Sequence, residues 1–182
     1  MNNVEWTPEW LAETIKLLCT HGSDTQFIEV KKAHGGYPGS LDATLSSFSN
    51  SSTGGIIICG LDENNDFAPV GVYDPADLEK TLGNKLRRGL KPPNTMESGT
   101  ILYEDAKIFV AAIPPLPPYE RPAYIGGKAY VRSGDGDHEM SRHETDLMVA
   151  QRTRTGFDEE PVEYTSLADL DEGLKTAYLR DV

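Results

Sequence analysis

The chain has 182 residues, of which 38% are hydrophobic and 25% charged, enough for one compact domain plus a tail and too short for two comfortable domains. No apolar run approaches the roughly 18 residues that a membrane span requires, and residues 1–10 lack the basic start and apolar block of a signal peptide. A formal net charge of −12 excludes a generally basic surface, so contact with a polyanion would have to be made by a local patch.

In chain order, Thr7 and Pro8 read as N-cap and first residue of a helix. Trp10, Leu11, Ile15, Leu17 and Leu18 then recur at helical spacing until Gly22. "FIEVKK" is a strand over about residues 27–32, with Ile28 and Val30 on one face and Phe27, Glu29 and Lys31 on the other. After the loop "HGGYPG", Leu41, Leu45 and Phe48 mark a second helix, which its serines make a weak one. "GGIIICGLDE" reads as a strand buried on both faces, entered tightly through Gly54 and Gly55. Val70 to Val72 suggest a short strand. Asp74 and Pro75 start a third helix ending near Gly89, with Leu78, Leu82, Leu86 and Leu90 on one face and Lys80, Arg87, Arg88 and Lys91 off it.

"GTILYEDAKIFVAAI" gives two strands joined at residues 104–107, "PPLPPYERP" a stiff extended connector, and "AYIGGKAYVRSG" a hairpin turning at Gly126 and Gly127. Ser141 with Glu144 is a capping box for a helix to about Arg152. The tail from Phe157 carries eight acidic against two basic residues, a net of −6, and Leu167, Leu170, Leu174, Ala177 and Tyr178 form an amphipathic helix. That stripe would pack back on the body or cross to a second copy as a homodimer contact. The order of elements predicts an α/β (α+β mixed-sheet) domain over residues 1–156, with an extra N-terminal helix and an acidic C-terminal tail helix over 157–182.

Several sharp motifs are excluded. No phosphate-binding glycine loop is complete, the four histidines have no zinc spacing, and "DENND" and "GDGDHE" read as ordinary turns. Cys19 and Cys59 stand at no motif spacing, which fits reduced thiols in a cytoplasm. Asp62 directly follows the buried strand, a position where open α/β sheets usually meet ligands. Arg132, at a strand end beside glycines, suits phosphate or carboxylate recognition, or an internal pair with a nearby aspartate.

Three ordered stretches, "FIEVKKA", "SSFSNSSTGGIIICGLDE" and "AYVRSGDGDHEMSRHE", together resemble the Schlafen AlbA-type domain family, often called DNA-binding domains, across about residues 20–152. "FDEEPVEYTSLADLD" is similar to the segment that follows this domain in longer bacterial transcriptional regulators. The resemblance implies an Alba-like fold and a nucleic-acid role for a regulator domain. Some animal Schlafen proteins are endoribonucleases using three acidic residues. Carried over, those acids fall on Asp24 (aspartate where the family has glutamate), Glu29 and Asp62, with Lys31 as the accompanying base. Such a trio would bind Mg²⁺ or Mn²⁺ and activate water, with the lysine steadying the phosphate.

Three functions are therefore expected, in this order. The first is a nucleic-acid-binding domain of a bacterial transcriptional regulator, touching DNA or RNA through Lys31, Lys32, Lys80, Lys85, Arg87, Arg88, Lys91 and Arg132. The second is a metal-dependent ribonuclease built on Asp24, Glu29 and Asp62. The third is a protein-interaction or oligomerisation module.

Overall fold

The computed structural model describes residues 6–134 and 136–157, with side chains to residue 152. The elements are α1 (Pro8–His21), β1 (Ile28–Lys31), α2 (Leu41–Asn50), β2 (Gly55–Cys59), β3 (Leu61–Asp62), β4 (Ala68–Pro69) and α3 (Pro75–Asn84). One π turn, Lys85–Gly89, leads from α3 into β5 (Leu90–Lys91). Then follow β6 (Glu97–Tyr103), β7 (Ala106–Ile113), a 3-10 turn at Pro118–Glu120, β8 (Tyr124–Ile125), β9 (Lys128–Ser133), β10 (Gly136–Glu139) and α4 (Arg142–Phe157).

Local chemistry sets the helix ends. The Thr7 hydroxyl accepts from the Trp10 N–H at 3.2 Å, Pro8 fills the first turn, and Gly22 closes α1 in the left-handed region at φ 76°. The capping box closes in both directions, with the Ser141 N–H donating to Glu144 Oε2 at 2.7 Å and the Glu144 N–H donating back to Ser141 Oγ at 3.3 Å.

Two four-stranded sheets organise the chain, one in the order β1-β2-β7-β6 and the other β10-β9-β8-β5, with β3 and β4 as a separate hairpin. Among the described residues only the β1–β2 pair is parallel; β2–β7 and β6–β7 are antiparallel, as are all pairs of the second sheet. The first sheet has a core on each face. Val30, Ile58, Ile101, Ile108 and Val110 pack under Leu11 and Leu18 of α1. Ile57, Cys59, Phe109, Ala111 and Ile113 pack under α2 and α3. The apolar block of β2 therefore reads correctly as a strand buried on both sides. Gly54 and Gly55 are its tight entry, because a Cβ on Gly55 would stand 2.5 Å from the Phe48 ring.

Four expectations are corrected. Val70–Val72 is not a strand: the Gly60 carbonyl takes the Val70 and Gly71 N–H groups, and the Lys107 carbonyl takes that of Val72. The connector after β7 is not extended throughout, since it makes the 3-10 turn. Residues 136–139 leave the expected turn and pair with β9. Lastly, α2 is not left weak by its serines but lies between the sheets, with Thr44, Ser46, Ser47, Ser49 and Asn50 all buried. Its polar side chains serve as cross-links. Ser46 Oγ donates to the Ala123 carbonyl and accepts from the Tyr130 N–H, while Asn50 accepts from the Ala123 N–H at 2.6 Å and donates to the Tyr130 carbonyl at 3.1 Å. The expected tail helix lies outside the described residues.

Candidate functional site

The charged strand β1 builds the centre of the site. Alternation sends Val30 into the α1 core and turns Glu29 the other way, beside Ile57 in the parallel register. Glu29 is only 5% exposed there, and a buried carboxylate needs cationic partners. It has two. Lys31 Nζ lies 2.8 Å from Oε1, and Arg132 Nη1, arriving from β9, lies 2.7 Å from Oε2.

Arg132 is the hub. Its side chain is 2% exposed, 3.2 Å from Asp137 Oδ1 and 3.9 Å from Asp24 Oδ2, with the guanidinium 5.4 Å from the centre of the Phe48 ring. Its Nε donates to the Thr25 carbonyl at 3.0 Å and its Nη2 to the Ile28 carbonyl at 3.3 Å. Asp137 is fixed in turn by the hydroxyls of Thr44 and Ser47, at 2.7 and 2.6 Å. Lys31 reaches onward to Glu63 at 3.0 Å. Asp24 accepts the Val30 N–H with both oxygens at 3.1 Å.

The three acids expected to act together are thus divided. Asp24 and Glu29 meet at Arg132, whereas Asp62 pairs with Lys32 at 2.6 Å. Among the described residues, no three His, Cys, Asp or Glu side chains are grouped to hold a metal ion. The donor set does not fit a divalent cation as arranged, because each oxygen pair a metal would need already faces an ammonium, a guanidinium or a backbone N–H.

The electrostatics follow from these placements. Loss of solvent pushes the Asp24 carboxyl up to about 7; the Val30 N–H opposes this, and the charges of Glu29 and Glu63 add to it. The Lys31 ammonium also draws the Asp24 carboxyl down, without cancelling the effect of burial. Burial would lower the Lys31 ammonium, but Glu29 and Glu63 overcome it and raise the group. Lys32 holds Asp62 below the usual carboxylate range.

The eight cations expected to face nucleic acid also divide. Lys31, Lys32 and Arg132 are taken by the acids above, and Lys85 pairs with Asp42 at 2.7 Å above the Tyr37 ring. Lys80, Arg87, Arg88 and Lys91 are exposed, and among the described residues none of them is in an ion pair. Arg132 belongs to the internal-pair alternative, not to an open phosphate fork. Sequence reasoning did not single out Glu63, Asp137, Thr44 or Ser47. Only adjacency to Asp62 and the five-residue step from Arg132 hinted at the first two.

Fold and site define a mixed α/β domain in which two sheets enclose a polar helix and an arginine-centred ionic cluster ties them together. The chain belongs to the Schlafen AlbA_2 family, whose model matches residues 24–141. The fold is similar to the solution NMR structure of the N-terminal domain of a protein named as related to the ATP-dependent DNA helicase RecG, from Nitrosomonas europaea. That likeness has a TM-score of 0.55 and 23% identity over 72% of this chain and 94% of that one. It is also similar to the crystal structure of the DIP2311 protein from Corynebacterium diphtheriae, with a TM-score of 0.52 and 16% identity. There the match covers 94% of this chain and 39% of the other. No curated protein matches the chain.

Proposed function

We propose that the chain is a nucleic-acid-associated domain, of the kind carried by transcriptional regulators, that meets DNA or RNA phosphates through Lys80, Arg87, Arg88 and Lys91. The observation that carries this reading is the division of the cations: this set alone among the eight is both exposed and unpaired. It runs from α3 through the π turn into β5, so it is held on ordered backbone. The naming of the Nitrosomonas europaea neighbour after a DNA helicase is consistent with it. Fluorescence anisotropy with a DNA duplex and a structured RNA tests the proposal. Arg87→Ala with Arg88→Ala is expected to weaken binding and to lower the log–log salt slope by about 2, one counterion per lost phosphate contact. No measurable affinity for either probe at about 50 mM salt would defeat it.

The ribonuclease reading on Asp24, Glu29 and Asp62 is weighed down by the ion pairs, because a metal would have to displace Lys31 and Arg132 from Glu29 and Lys32 from Asp62. Incubating structured RNA with Mn²⁺ is expected to give no cleavage that Glu29→Gln abolishes. Cleavage lost in that variant alone would restore the enzymatic reading.

A further inference from the structure

β1 is the border strand of the first sheet, and a border strand ordinarily presents a row of unpaired backbone groups. The Phe27 and Lys31 carbonyls accept from the Ile56 and Gly60 N–H groups, so in this parallel register residues 27, 29 and 31 turn their backbone toward β2. Ile28 and Val30 turn theirs outward. Those two residues offer four groups to solvent, and every one is occupied from within the chain. The Ile28 N–H donates to Thr25 Oγ1 at 3.1 Å, and the Ile28 carbonyl accepts from the Thr25 N–H at 3.1 Å and from Arg132 Nη2 at 3.3 Å. The Val30 N–H donates to the Asp24 carboxylate at 3.1 Å, and the Val30 carbonyl accepts from Lys31 Nζ at 2.8 Å.

We infer that Asp24, Thr25, Lys31 and Arg132 form a strand terminator, which fills the hydrogen-bonding border of β1 in place of a fifth strand and keeps a second copy of this chain from adding there. Glu29 and Asp137 are the supports that hold Arg132 and Lys31 in position. The cluster is thus an interaction-blocking surface, whatever the chain binds elsewhere. Its occupant when opened is the same border of another copy, since antiparallel pairing of two β1 strands would satisfy the four groups that the cluster now satisfies.

The experiment compares wild type, Asp24→Ala and Asp24→Asn in the full chain by amide hydrogen exchange and light scattering. In Asp24→Ala the Val30 amide is expected to exchange at least about tenfold faster, while the Glu29 and Lys31 amides, facing β2, keep their protection. That variant should also self-associate with rising concentration. Asp24→Asn keeps an acceptor for the Val30 N–H and should stay monomeric with Val30 protected. A folded Asp24→Ala chain that remains monomeric with unchanged Val30 protection overturns the inference. So does an Asp24→Asn chain, folded by circular dichroism, that associates and exchanges as Asp24→Ala was expected to.

Discussion

At the scale of single residues, Arg132 carries the largest consequence. A guanidinium 2% exposed between Glu29 and Asp137 is weak evidence of net stabilisation, but among the described residues removing it would leave buried Glu29 with Lys31 alone and Asp137 with no cation. Arg132→Met is expected to cost about 3–5 kcal/mol, measured as a lower urea midpoint. Asp24 gives a pH signature. Its carboxyl is raised from 3.8 to about 7 in the folded chain, so between those values the folded state holds a proton that the unfolded chain has lost. The stabilisation from that proton is complete below the unfolded value and is lost as pH rises through about 7. Urea unfolding at pH 5 and pH 8 should show a stability drop that Asp24→Asn reduces. An equal drop in both chains would mean that other groups set the dependence.

At the scale of elements, α2 carries the lesson. A helix reading "LDATLSSFSN" looks weak because serine and asparagine favour caps and turns over helix interiors. Eight of its ten residues are instead buried, and Asn50 satisfies the Ala123 and Tyr130 backbone from inside. Asn50→Ala would orphan the Ala123 N–H and is expected to cost about 3 kcal/mol at unchanged m-value. Elements with local causes were legible: Thr7, Pro8 and Gly22 around α1, the glycine-bounded β2, and the Ser141–Glu144 box. What escaped depends on partners far along the chain. Ser46 meets residues 77 and 84 positions away, and no periodicity encodes that. The site divides the same way. Glu29 with Lys31 could be read from a two-residue step, whereas the capture of Glu29 by Arg132 and of Asp62 by Lys32 needed the sheets assembled.

At the scale of the whole molecule, charge and topology act together. A chain of net charge −12 repels polyanions at long range, so contact through Lys80, Arg87, Arg88 and Lys91 should be short-ranged and orientation-dependent. Lys80→Gln alone is expected to lower the salt slope by about 1 with DNA and with RNA alike, as a phosphate contact without base reading should. A loss confined to one probe would place Lys80 outside a shared phosphate contact.

The first sheet also has two unlike borders. β1 is closed, while among the described residues nothing donates to or accepts from the outward backbone of β6. Filaments grow only when a molecule offers two joining surfaces, and one closed border removes half of that requirement. If wild-type copies join through this sheet, they can do so only as β6-to-β6 pairs related by a two-fold axis, which end after two. A chain with β1 opened gains the second joining surface and with it open-ended growth.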